Sequence, residues 1–150
     1  MRIRAQAIII RDERMLFAYG IVGGYNELRH SFIGGGVEDD ETPSDAVLRE
    51  LREEAYVDGE VIFECSHSPG DRHRTFLVDI GDQECILGRD PEEALLNMED
   101  RTLKGLIWID LKDKHEFTDI DKAYCAQLHA ECQKRHFTPS WLQLIEGIIG

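Results

Sequence analysis

Residues Gly35 to Val57, GGVEDDETPSDAVLRELREEAYV, constrain this chain more than any other stretch. They place eight carboxylates in twenty-three positions and dictate one helix with a fixed start. Thr42 is a natural N-cap, and Pro43 suits the first helical position, where a missing N–H costs nothing. Asp45 lies where a capping-box acid belongs. The pattern predicts a helix over PSDAVLRELREEA. At about 100° per residue, Val47, Leu48, Leu51 and Ala55 gather into one apolar stripe that must be buried. Glu50, Glu53 and Glu54 then span roughly 100° of arc near the helix end, with Asp45, Arg49 and Arg52 on the far side.

The remaining segments supply partners for that stripe. RIRAQAIII alternates and then turns wholly apolar, as a strand entering a core does. After the polar turn RDER, MLFAY returns as a second strand, and the glycine-rich GIVGGYNE leads into a third, LRHSFI. VDGEVIFECSH and HRTFLVDI flank a Ser-Pro-Gly-Asp turn and read as a hairpin. DPEEALLNM carries the cap and proline of a short helix, and KGLIWIDL is a buried strand. DIDKAYCAQLHAECQKRH is a terminal helix with Ile120, Tyr124 and Leu128 four apart. The tail WLQLIEGIIG is apolar enough to pack on the body, or to form a homodimer interface. Strands and helices interleave with both tight turns and helical crossovers. The expected class is α/β in the α+β sense, one domain over 1–150 with a mixed β-sheet covered by helices on both faces.

Composition narrows the function classes. At 150 residues, 42% hydrophobic and 31% charged, the chain has a globular profile. A formal charge of −13 argues against a nucleic-acid polymer as partner, because a phosphate backbone needs clustered Lys and Arg. It leaves room for a small phosphorylated ligand, since a bound metal inverts the sign of a site locally. No apolar run suits a membrane span, and no targeting or lipid-attachment motif is visible, so cytoplasm is the default expectation. Cys65, Cys85, Cys125 and Cys132 form no C-x-x-C pair and read as reduced, mostly buried residues.

An acidic patch is by itself most often a solvated face. Two features weigh against that here. Three glutamates in the last two turns oppose the helix dipole, and Glu50 and Glu54 repel at i,i+4. A Gly-Gly-Gly turn at Gly34–Gly36 also precedes the helix, where close backbone approach would serve a ligand. Carboxylates and carbonyls are hard oxygen ligands, which suit Mg²⁺ or Mn²⁺.

The segment reads G-x5-E-x7-R-E-L-x-E-E-x-Y-V, from Gly35 through Glu41, Arg49, Glu50, Leu51, Glu53 and Glu54 to Val57. It resembles the Nudix box, G-x5-E-x7-R-E-U-x-E-E-x-G-U with U aliphatic, and the element order resembles the Nudix αβα sandwich. The resemblance implies a pyrophosphohydrolase acting on a nucleoside diphosphate linked to another group. By that analogy Glu50, Glu53 and Glu54 hold Mg²⁺, and Arg49 orients one of the glutamates. Gly35 and Glu41 shape the loop–helix junction. Glu53 or Glu54 takes the proton of the attacking water, or a loop acid does so. In the loop before KGLIWIDL that acid is Glu99, with Glu93 and Asp100 as alternatives.

Three positions depart from the family pattern. Tyr56 replaces the glycine that closes the helix, Ile33 stands where proline is common, and Asp40 stands where glycine is common. A left-handed residue costs a non-glycine roughly 1–2 kcal/mol, so the turn is expected to move on to Asp58-Gly59, with Gly59 taking the unusual dihedrals. For the substrate, Arg29 and Arg72 are candidate phosphate clamps and Tyr25 a candidate base-stacking residue, with His73 and Arg74 nearby in sequence. The rival expectation is a catalytically silent nucleotide-binding or regulatory domain.

Overall fold

A computed structural model describes residues 3–21, 28–66, 72–86 and 103–150. The strands are β1 (Arg4–Ile8), β2 (Ile10–Arg11), β3 (Arg14–Ile21), β4 (Leu28–Ser31), β5 (Ile33–Gly36), β6 (Glu60–Glu64), β7 (His73–Asp79) and β8 (Leu103–Asp110). The helices are α1 (Pro43–Ala55), α2 (Asp119–Lys134) and α3 (Leu142–Ile149). The helix expected within DPEEALLNM and the Ser-Pro-Gly-Asp turn lie outside the described residues.

The strands form two sheets. One runs β5-β1-β7-β6 and is mixed, with β1 parallel to β7 and the other pairs antiparallel. In the other, β3 pairs antiparallel with β8 along one side and with β2 and β4 along the opposite side. Alternation along the strands then sorts side chains into two cores. Ala5, Ala7, Ile9, Leu16, Ala18, Ile33, Phe76 and Val78 pack with the α1 stripe Ala46, Val47, Leu51 and Ala55. Ile8, Met15, Phe17, Phe32, Leu77 and Ile109 face the other way, towards Tyr124, Cys125, Leu128, Cys132, Ile145 and Ile148 of α2 and α3. The result is an αβα sandwich with helices on both faces.

The apolar tail packs on the body: α3 lies against α2 with Ile145 and Ile148 buried. Cys65, Cys125 and Cys132 are buried free thiols, and Cys85 is half-buried. Among the described residues, no helix is long and apolar enough to cross a membrane.

Four local expectations are corrected. LRHSFI is not one strand: it breaks at Phe32, with β4 in one sheet and β5 in the other. Gly34–Gly36 is not a turn but part of β5, pairing with Arg4 to Gln6. A Cβ on Gly34 would lie 2.7 Å from Gln6 Cα, so the glycine serves close strand approach. In α2, Ile120 is 69% exposed, and the buried side is formed by Asp121, Tyr124, Cys125, Leu128, Glu131 and Cys132. Asp121 completes a capping box with Thr118, which turns that position inward and Ile120 outward.

The fourth correction concerns the end of α1. Tyr56 itself adopts the left-handed conformation, φ 53° and ψ 39°, and its N–H donates to Arg52 O at 3.1 Å. Gly59 does not: among the described residues, the glycines with positive φ are Gly81 and Gly150. Gly59 is needed for space, because a Cβ there would lie 2.6 Å from Val78 Cγ1 and 2.7 Å from Leu51 Cδ2. The Gln83 side chain holds Asp58 on both sides, accepting from its N–H at 3.0 Å and donating to its carbonyl at 2.7 Å. With Asp58 pinned, the chain reverses at Tyr56.

Candidate active site

The N-terminal turn of α1 follows its cap signals, with Thr42 Oγ1 accepting from Asp45 N at 3.2 Å. That start sets the phase of the helix, and Glu50 and Glu54, one turn apart, come to rest over β5. Gly34 N donates to Glu54 Oε2 at 3.2 Å. A Cβ on Gly35 would collide with the Glu50 carboxylate, 2.5 Å from its Cδ. Gly35 therefore gives Glu50 room against the strand, while Gly34 offers Glu54 its backbone N–H.

Arg49 ties the junction together. The wheel put it on the far side from the carboxylates, but its side chain reaches back over the helix start. Nε and Nη2 donate to the two oxygens of Glu41 at 3.0 and 2.7 Å, a bidentate pair. Nη2 also donates to Gly36 O at 3.1 Å, and Nη1 donates to Glu50 Oε1 at 3.1 Å and Glu53 Oε2 at 3.3 Å. Glu41 in turn accepts from Glu38 N at 2.9 Å. These bonds, led by that with Glu41, hold the guanidinium firmly protonated.

Both inner acids are nonetheless held above their ordinary values, chiefly by burial. Burial raises Glu54 to about 8, with the Glu50 charge adding to the rise and Arg4 and the Gly34 N–H opposing it. Burial also raises Glu50, against the pull of Arg49. Glu53 is the open member, with half its side chain exposed. A divalent cation fits this set: the donors are hard carboxylate oxygens, two of them crowded at the cost of their ionisation. Among the described residues no three His, Cys, Asp or Glu side chains converge as a closed ligand cluster. Glu50 and Glu53 turn to Arg49, and Glu54 turns to Gly34.

Of the other residues singled out in the sequence, Arg29 is exposed on β4 opposite Gly20. Arg72 is exposed just before β7, and its carbonyl accepts from Arg4 N at 2.8 Å. Tyr25 and Glu99, with Glu93 and Asp100, lie outside the described residues. Sequence reasoning passed over Arg4 and Gln6. They sit on β1 beside the glycines, and the Arg4 charge reaches both Glu50 and Glu54. The signal was present: Arg4 and Gln6 are the polar members of the alternation that ends in the core at Ile8.

Comparison with solved structures finds the same architecture in many proteins. The E. coli ORF135 protein is 22% identical, with 85% of this chain and 90% of that one covered and a TM-score of 0.57. An ADP-ribose pyrophosphatase from Streptococcus suis is 18% identical over 93% and 95% of the two chains, with a TM-score of 0.60. A UDP-X diphosphatase is 15% identical over 89% and 64%, with a TM-score of 0.55. At these identities the likeness establishes the fold. No curated protein sequence matches. The NUDIX domain profile matches residues 1–127, which takes in both sheets, α1 and the whole glutamate junction, and the chain belongs to the NUDIX domain family.

Proposed function

We propose that this protein is a Mg²⁺-dependent pyrophosphohydrolase that cleaves a phosphoanhydride bond in a nucleoside diphosphate linked to another group. The observation that carries this reading is the pair Glu50 and Glu54, set against Gly35 and the Gly34 N–H, where burial raises both carboxyls against the pull of Arg49 and Arg4. Such crowding is costly to stability unless a cation offsets it. Glu50, Glu53 and Glu54 would hold Mg²⁺, or Mn²⁺ in its place. The ion supplies charge neutralisation on the phosphate oxygens and makes a water more acidic.

The chain's own residues do the rest. Arg49 fixes Glu50 and Glu53 through Nη1 while Glu41 holds the guanidinium in plane. Glu53 or Glu54, whichever is free of the ion, takes the proton of the attacking water, and the cleaved anhydride leaves as two phosphate groups. The similar structures named for ADP-ribose and UDP-X make nucleotide sugars and related diphosphates the first compounds to try. The left-handed turn that the box glycine would supply is taken by Tyr56, so this departure leaves the helix end formed and weighs against a silent domain.

The test is product release from ADP-ribose, UDP-sugars, nucleoside triphosphates and dinucleoside polyphosphates, with and without Mg²⁺. Turnover of one class that stops on chelation is expected. Glu53→Gln and Glu54→Gln are expected to lower kcat by about 100-fold or more without loss of fold. Full activity in both variants would overturn the site assignment, and Mg²⁺ binding with no turnover of any compound would favour the regulatory reading.

A further inference from the structure

A polar row crosses the first sheet next to the glutamates. Arg4 of β1 stands opposite Gly36 of β5 and, on its other side, opposite His73 of β7. The Gly36 carbonyl already belongs to the Arg49 junction. With strands about 4.8 Å apart, His73 stands two spacings from it. Arg4 and His73 are both half-buried. The Arg4 guanidinium donates to Phe32 O at 2.9 Å and has no other hydrogen-bond partner among the described residues. Burial dominates the ionisation of Glu50, Glu54, His73 and Tyr124, and the Arg4 charge acts on all four as well. Arg4 thus lies between the acid cluster and a second polar group.

That second group is wired from behind. His73 Nδ1 lies 2.6 Å from the hydroxyl of Tyr124 on α2, and the two rings are nearly parallel at 16°. Tyr124 is buried, and on the same face of β1 as Arg4 the buried Gln6 amide donates to Thr75 Oγ1 at 3.2 Å. A phenol has one hydrogen to give. Given to His73 Nδ1, that hydrogen makes the short contact a phenol-to-imidazole bond. Burial and the Arg4 charge push His73 below its ordinary value, so the ring is neutral at pH 7. A neutral imidazole that accepts at Nδ1 carries its own hydrogen on Nε2. Nε2 has no partner among the described residues.

We propose that Arg4 and His73 form a phosphate-oxygen subsite beside the carboxylates, in which Tyr124 is a positioning residue that fixes His73 as an Nε2–H donor. The subsite rests on the hydrolase reading above and deepens it: the acids hold the cation, and this row holds non-bridging oxygens of the same diphosphate. A guanidinium and a neutral N–H side by side select for a phosphate oxygen over a cation, which the acidic remainder of the chain would otherwise attract.

The experiment is calorimetric titration with inorganic pyrophosphate in Mg²⁺, alongside steady-state kinetics on whichever compound the protein hydrolyses. Arg4→Gln and His73→Ala should each weaken pyrophosphate binding about tenfold or more, and should raise KM far more than they lower kcat. Tyr124→Phe removes a single oxygen and should weaken binding about threefold. In the His73→Ala background it should have no further effect, because Tyr124 acts only through His73. His73→Gln should recover part of the loss, since its side-chain amide can donate from nearly the same place. Arg4→Lys serves in place of Arg4→Gln if circular dichroism shows the latter unfolded. Unchanged pyrophosphate affinity in folded Arg4 and His73 variants overturns the proposal, as does a Tyr124→Phe effect that simply adds to that of His73→Ala. Absence of pyrophosphate binding by the parent protein also overturns it. Weakened binding in the variants with no hydrolysis of any compound keeps the subsite and removes the hydrolase reading.

Discussion

Replacing Tyr56 by glycine should stabilise this protein. Tyr56 sits at φ 53°, ψ 39°, where an L-residue with a Cβ pays roughly 1–2 kcal/mol. Glycine removes that cost but gives back about 0.4–1 kcal/mol through the freedom it adds to the unfolded chain. The side chain is 60% exposed, so little burial is lost. The net gain is about 0.5–1 kcal/mol, which for a chain of this length raises Tm by roughly 1–4 °C. Gly59→Ala is the counterpart. Its Cβ would meet Val78 Cγ1 at 2.6 Å and Leu51 Cδ2 at 2.7 Å, and overpacking of that kind costs about 1–3 kcal/mol. Differential scanning calorimetry and urea unfolding at one pH, with chelator present, measure both. A Tm that falls for Tyr56→Gly, together with a neutral Gly59→Ala, would refute the reasoning.

Other perturbations follow from single contacts. Gly35→Ala places a methyl group against the Glu50 carboxylate and should lower turnover and Mg²⁺ affinity about tenfold or more, with a smaller effect on Tm; equal Mg²⁺ titrations would contradict it. Arg49→Lys keeps the charge but loses the bidentate grip on Glu41, and should lower kcat about tenfold while lysine still reaches one acid. Glu131 is buried; burial pushes its carboxyl up, but hydrogen bonds from Ser66 and Arg135 and the charge of Lys134 bring it down to about 2. Its folded value lies below the unfolded one, so its stabilisation is present above about pH 4.5 and is lost as pH falls towards 2. The loss amounts to about 3 kcal/mol. Urea unfolding of Glu131→Gln should be weaker than the parent at pH 7 and converge with it near pH 2; a constant gap would count against the argument.

The first helix was legible to the residue because its signals are local: a cap, a proline and an apolar stripe within one run of chain. The family box was legible for the same reason. What escaped was set by pairing across distance. Nothing in LRHSFI announces that Phe32 passes from one sheet to the other, since both halves carry ordinary strand residues. Gly34–Gly36 looked like a turn because glycine favours turns, yet here the missing Cβ makes room for a strand and for Glu50. Arg4 and Gln6 had the alternation of surface positions, and only the register of β1 with β7 reveals what they face. Ile120 kept the helical period of a core residue but lost the place to Asp121, whose capping bonds decide the phase of the first turn.

The placement of β1 between β5 and β7 also sets an order of events during folding. The acid half of the site uses neighbours close in sequence, with Glu54 only 20 residues from its Gly34 partner. The half built on Gln6 and Thr75 must close 69 residues of chain through a parallel pairing. Loop closure grows slowly in free energy, about 0.6 kcal/mol per doubling, but long-range parallel contacts form late. A nascent chain would therefore gather its carboxylates before its arginine and histidine row exists, and on the proposed function would pass through a stage that draws a cation without holding phosphate. On the proposed function, the docking of β7 against β1 then adds a hold on phosphate to a strand and helix that already carry the carboxylates.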